Sequence, residues 1–319
     1  AAVAAPVALG LWGAARRLGE PLLPPRGRPP RPRNRTALPA DAFDLLCVIA
    51  FALTLTGVFP VLVAVGGSLA DAAGLVAAAD DDGRRQLRMM WGSLLAGPVL
   101  LAGWVAYRVW CGAAPVRVAR LAADAAVGVA AWVVVTPVVM GVHLAAKLLT
   151  ESAGGQTDQH PLAKLGAGDT VAEQLFFGAV VSVFTPLAEE VLFRGLPVGW
   201  ASGRAYRPWA VIAVAALLGT SSGLGSGHVA GPVGFVAVLA VGLAGLWPIL
   251  SRSGRAVYGT AVLFAAVHSS VWPTPVPLFV LALALGALTA RTGGIAASVV
   301  LHGLFNAVSF VFLLRGGTP

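Results

Sequence analysis

Apolar stretches close to the length of a bilayer crossing recur along this 319-residue chain, and that recurrence limits the folds open to it. About 20 consecutive apolar residues carry a helix through the hydrocarbon core. The first clear run covers residues 43 to about 66. Others cover 91–110 and 121–149, and a fourth starts near Thr170. Further runs cover 206–218, 235–250, 256–269, 276–290 and 295–314. The pattern implies an all-α, polytopic membrane helical bundle with about eight to nine transmembrane helices. It divides the chain into an N-terminal apolar segment with a basic linker (1–42), an N-terminal transmembrane region (43–170) and a C-terminal region (171–315).

The composition agrees: hydrophobic residues make up 57% and charged residues 11%, far from the soluble average. The net charge is +8. Basic residues gather at 16–35, 108–120, 194–207, Arg252, Arg255 and Arg291, all on one side if the spans alternate. By the positive-inside rule that side is cytoplasmic, so the expected location is the cell (inner, cytoplasmic) membrane, multi-pass. Arg84, Arg85, Arg88 and Arg315 fall on the other side, the first three beside Asp80, Asp81 and Asp82. No aromatic residues interleave the arginines as a stacking surface requires, so the lipid bilayer, and not nucleic acid, is the expected partner.

Other features carry no chemistry. The cysteines Cys47 and Cys111 form no CxxC and no disulfide framework. Residues 1–15 are apolar but short for a span and lack the basic n-region of a signal peptide. Residues 16–35, rich in Pro and Arg, read as an extended cytoplasmic anchor near anionic headgroups. Gly223-Leu-Gly225-Ser-Gly227 is no phosphate loop, since no strand precedes it and no Lys follows. His143 and Lys147 snorkel to the interface, and His160 and His228 sit in loops.

The stretch Pro186-Leu-Ala-Glu-Glu-Val-Leu-Phe-Arg-Gly195 is different. It ends a long apolar run, and ionisable groups in such a place are read as functional by default. The other acidic residues sit in loops or near predicted segment ends. Residues four apart share a helix face, so Glu190 and Arg194 are expected to pair. Glu189 is turned about 100° away and has no cation at the equivalent spacing, because position 193 is Phe. Glu190–Arg194 reads as the supporting pair and Glu189 as the free carboxylate.

Two more patterns follow. Phe264-Ala-Ala-Val-His268 puts a histidine inside the seventh run. His302-Gly-Leu-Phe-Asn306 puts His and Asn on one face of the last. At about 1.5 Å per residue, Glu189, His268, His302 and Asn306 all fall between the cytoplasmic end and the middle of the membrane. Groups that are costly singly can meet there in one water-filled cavity.

With these motifs in order, EExxxR, FxxxH and HxxxN, the chain resembles the CPBP family, the CAAX prenyl protease 2 and bacteriocin-processing (Abi) membrane proteases. Glu189-Glu190-Val-Leu-Phe-Arg194 is the first motif, Phe264 to His268 the second and His302 to Asn306 the third. The run Gly286-Ala-Leu-Thr-Ala-Arg-Thr-Gly-Gly294 is also similar. The likeness covers roughly residues 171–314. The gap between Arg194 and Phe264 is longer than the family pattern, as if one hydrophobic helix were inserted, which bears on the shape of the substrate entry more than on the chemistry.

The resemblance implies an intramembrane endopeptidase that hydrolyses a peptide bond near the cytoplasmic face. Glu189, helped by His268, would activate water. His302 and Asn306 would stabilise the oxyanion. Glu190, Arg194 and Phe264 would support them. The substrate would be a peptide or protein, lipidated or not. A metal-free reaction is favoured, with no cofactor; if zinc were bound, Glu189, His268 and His302 would hold it, although no HExxH is present. A non-catalytic immunity or scaffold protein of the same family is the alternative. A transporter is weaker still, since no inverted repeat is visible.

Overall fold

A computed structural model describes residues 40–76, 81–110, 118–155, 157, 171–226 and 230–315. The basic linker, Cys111, His160 and His228 lie outside these residues. The described residues form helices and no strands. Each apolar run read from the sequence forms one. Helix α1 runs from Ala40 to Ala72 through a π-helical turn at Thr54–Val58. Then come α2 (Asp81–Trp110) and α3 (Val118–Ser152). Helix α4 starts at Val171 and ends at Gly195, and α5 is the short Pro197–Ala201. The remainder are α6 (Arg207–Ser226), α7 (Ala230–Leu246), α8 (Arg252–Val267), α9 (Pro275–Thr292) and α10 (Ala296–Leu314).

Among the described residues, six helices are long and apolar enough to cross a membrane, and two shorter apolar ones, Arg207–Ser221 and Gly231–Leu246, accompany them. The expected count of eight to nine spans therefore holds only approximately. Helix α8 explains part of the difference. It has 16 residues, fewer than the roughly 20 of a full crossing, and every residue from Ala256 to Ala266 is buried. It is the central post of the bundle, packed against α6 and α9. Its small residues permit this: a Cβ on Gly259 would stand 3.0 Å from the Pro208 carbonyl oxygen. Ser251 caps its N-terminus, accepting from the Gly254 N–H at 3.0 Å.

The interval between the first two apolar runs, which reads as a loop over 68–88, is mostly helix. Helix α1 continues to Ala72, and α2 already begins at Asp81. A negative charge at a helix N-terminus complements the macrodipole, and an Asp71–Arg88 ion pair ties the two helices across the turn. A Cβ on Gly92 would lie only 2.0 Å from the Val63 carbonyl oxygen. Glycine is thus required where α1 and α2 touch backbone to backbone.

Helix α4 is not a regular helix. Regular α-turns at Val171–Ala179 and Thr185–Glu190 are each followed by a π-helical segment, Val180–Phe184 and Val191–Gly195. Pro186 accounts for the first, because it has no N–H to give to the preceding turn. Helix α10 covers the exposed carbonyls. Asn306 Nδ2 donates to the Val181 carbonyl at 3.1 Å, and a Cβ on Gly303 would stand 2.4 Å from the Ser182 oxygen.

Candidate active site

The two glutamates sit at the end of the α-turn Thr185–Glu190, between the π-helical segments of α4. Such π-turns occur frequently at functional sites because they re-aim side chains. Glu190 points into protein and is fully buried. Its Oε1 accepts from Arg194 Nη1 at 2.9 Å and meets His302 Nδ1 at 2.9 Å. With Glu190 ionised beside Arg194, Nδ1 must carry the proton and donate. This fixes the ring, as an outer carboxylate fixes a working imidazole.

The other nitrogen of that ring is then aimed at the second carboxylate. His302 Nε2 lies 3.5 Å from Glu189 Oε2. On the opposite side, His268 Nε2 lies 3.9 Å from Glu189 Oε1. The tautomer of His268 follows from the backbone. Its Nδ1 is 2.7 Å from the Phe264 carbonyl oxygen, which can only accept, so Nδ1 donates and the neutral ring has a bare Nε2. Glu189 thus stands between two imidazoles, each oriented by its far nitrogen. Neither contact is short and strong enough to be a direct hydrogen bond.

Phe264 organises the group from beneath. It is buried, with the Arg194 guanidinium over its ring at 4.3 Å. Its ring also packs against His268 at 4.7 Å and edge-on against His302 at 5.7 Å. One aromatic side chain therefore spaces the cation and both histidines.

Glu189 and His268 open into a cavity of about 320 Å³, while His302 is 3% exposed and lies behind them. Asn306 is one turn along α10 from His302, and its amide is bound to Val181. The structure thus brings Glu189, Glu190, Arg194, Phe264, His268 and His302 together and sets Asn306 at their margin. Among the described residues no group of three or more His, Cys, Asp or Glu side chains is arranged to hold a metal ion.

Two features escape a reading of the sequence. The far wall of the cavity is Leu55, Thr56 and Phe59, from α1, where an apolar run names no face. Asp44 and Asp124 are also buried, 2% and 6% exposed, although both stand near the ends of apolar runs. Asp44 receives the Tyr206 hydroxyl and the Arg207 guanidinium. A lone Asp at the start of an apolar run was the available signal.

The model of the type II CAAX prenyl endopeptidase Rce1-like family matches residues 171–250 and 245–308. Those segments hold all three motifs and every residue around Glu189 apart from the α1 wall. No curated protein and no solved structure matches the chain.

Proposed function

We propose that this multi-pass membrane protein is an intramembrane endopeptidase with Glu189 as its general base, since residues 171–250 and 245–308 match the Rce1-like family model. The observation carrying this reading is the placement of Glu189 between the oriented imidazoles of His268 and His302, 3.9 and 3.5 Å away, on the wall of a cavity.

Glu189 and neutral His268 both present lone pairs to the space between them. A water molecule there donates one hydrogen to each, leaving an oxygen lone pair for attack on the scissile carbonyl carbon. As the C–O bond forms, Glu189 takes a water proton and the carbonyl becomes an oxyanion. Asn306 offers its second amide N–H, and His302 offers Nε2–H in the form protonated at both nitrogens, its Nδ1–H resting on Glu190. Such preorganised donors are each worth roughly 10²–10³ in kcat. The proton held by Glu189 then passes to the departing amine as the C–N bond breaks. Glu189, His268 and His302 are also the set a zinc ion would take; the reaction proposed here is written without one.

The substrate in this reading is a peptide or protein presented by the bilayer, lipidated or apolar in itself. The scissile bond lies near the cytoplasmic face of the cell membrane, as the basic loops suggest. The test is cleavage of a fluorogenic membrane-peptide library by purified protein, with Glu189→Gln alongside. Cleavage lost in the variant supports the reading. Absence of cleavage by both folded proteins moves the function to a non-catalytic member of the same family.

A further inference from the structure

Two cavities lie in line between α1 and α6. The first is the active-site cavity, with Leu55, Thr56 and Phe59 on the α1 side and Leu218 on the α6 side. The second, about 560 Å³, is walled by Leu45 and Val48 of α1 and by Ala213 and Leu217 of α6, with Asp44 and Tyr206 at its rim. On α1, Asp44, Val48, Phe51, Leu55 and Phe59 follow one helical stripe. The stripe begins with a buried carboxylate and ends at the catalytic cavity. The outer lips are apolar and open: Leu45 is 61% and Leu217 70% exposed.

The two halves of α1 are held differently. Beyond Val58, Gly66, Gly67 and Gly92 allow backbone-to-backbone contact with α2, which fixes that half. Among the described residues, the half Ala40–Leu53 has α6 as its main neighbouring helix. At its start an ionic cluster makes the tie. Asp44 takes hydrogen bonds from Tyr206 and Arg207, and Arg204 pairs with Asp41 at 2.7 Å and reaches Asp44 at 3.5 Å. Arg207 is itself steadied by the Trp200 carbonyl at 2.8 Å, just beyond the helix carrying Glu189. Between the two halves is the π-helical turn Thr54–Val58, with Gly57 inside it and Pro60 after it. Such turns and prolines are where helices bend.

An apolar residue at position 44 could hold α1 to α6 as firmly, since buried ion pairs seldom exceed a hydrophobic replacement in stability. What charge adds is a directional contact that is either made or lost. We infer that residues 40–58 form a lateral gate. The Asp44–Tyr206–Arg207 cluster is its latch and the π-helical turn its hinge. Opening joins both cavities to the lipid, so that an extended apolar peptide segment of the substrate slides between α1 and α6 to reach Glu189. The inference rests on the protease reading. The apolar walls select the occupant, and the charged rim marks where its polar flank leaves the membrane. Helix α6 lies within the matched residues and α1 outside them, so the gate joins an element of the family match to one that precedes it.

The test is a distance measurement by pulsed electron spin resonance in lipid nanodiscs. Spin labels go on Leu45→Cys and Leu217→Cys in a Cys47→Ser, Cys111→Ser background. One short-distance population is expected with the latch intact. Asp44→Asn should add a longer-distance population and Tyr206→Phe a smaller one. If Asp44→Asn does not fold, Tyr206→Phe alone decides. A Leu/Ala-rich transmembrane peptide added to the Glu189→Gln protein should produce the same longer population with the latch residues unchanged. Distances that respond to neither latch variant overturn the gate, and distances that ignore the peptide overturn its use as an access route. No cleavage is read, so an inactive protein that still opens defeats only the protease reading, and an active one with fixed distances defeats only the gate.

Discussion

Glu190 and His302, 112 residues apart in sequence, are joined by a 2.9 Å hydrogen bond that ties the helix carrying both glutamates to the last span. The same carboxylate oxygen accepts from Arg194. Removing its charge leaves a guanidinium 1% exposed without its carboxylate partner. Breaking a buried pair in this way costs about 3–5 kcal/mol. Glu190→Gln should therefore lower thermal stability sharply in detergent, measured by a melting curve, besides lowering activity. A variant that melts with the parent would show that Glu190 does not bear this load.

Gly303→Ala is expected to disturb the bulged helix α4. The added methyl would meet the Ser182 carbonyl oxygen at 2.4 Å, backbone against side chain with nothing flexible to yield. Overpacking of this kind costs typically about 1–3 kcal/mol. Because the displaced element leads directly into Glu189, activity should fall by more than the loss of folded protein explains. Specific activity normalised to the folded fraction is the measurement.

Asn306→Ala separates two roles. Its amide satisfies the Val181 carbonyl, and in the proposed mechanism it also holds the oxyanion. Loss of such a donor lowers kcat by about 10²–10³ with KM little changed. A melting point lowered with kcat intact would reduce Asn306 to a helix–helix contact.

Phe59 lines the cavity opposite Glu189 and His268. Phe59→Ala enlarges that wall without touching a reacting group. It should shift the preferred substrate side chain toward larger residues, and pockets discriminate such differences by about 10–200-fold per methylene. Profiling of a peptide library by mass spectrometry reads the shift.

Much of this was legible in the sequence, for identifiable reasons. Long apolar runs leave a chain little choice but helices in a bilayer, and the runs around positions 43–66 and 295–314 became helices as expected. The i, i+4 spacing of Glu190 and Arg194 placed them together before any coordinates. The order of the three motifs gave the resemblance, and the Rce1-like family model matches the same segments. What stayed hidden depends on pairings between distant segments. Nothing local shows that Val181 needs Asn306, that Gly303 must pass over Ser182, or that α1 closes the cavity with Phe59. Pro186 disfavours a regular helix at its position, but nothing local shows the π-helical form the chain takes. Asp44 looked like a residue at a span's end, because the donors that satisfy it, Tyr206 and Arg207, come more than 160 positions later.

The central claim is that Glu189 acts as the base of a metal-free protease. Glu189 is 18% exposed at its side chain and its contacts to His302 and His268 are long, 3.5 and 3.9 Å, so Glu189→Gln should fold like the parent. The direct measurement is turnover of a fluorogenic membrane peptide by both proteins, before and after exhaustive chelation, with metal content determined in parallel. The account predicts that the parent cleaves and survives chelation, and that the variant loses about 10²–10⁴ in kcat. Cleavage undiminished in Glu189→Gln, or activity lost together with stoichiometric zinc, would contradict it.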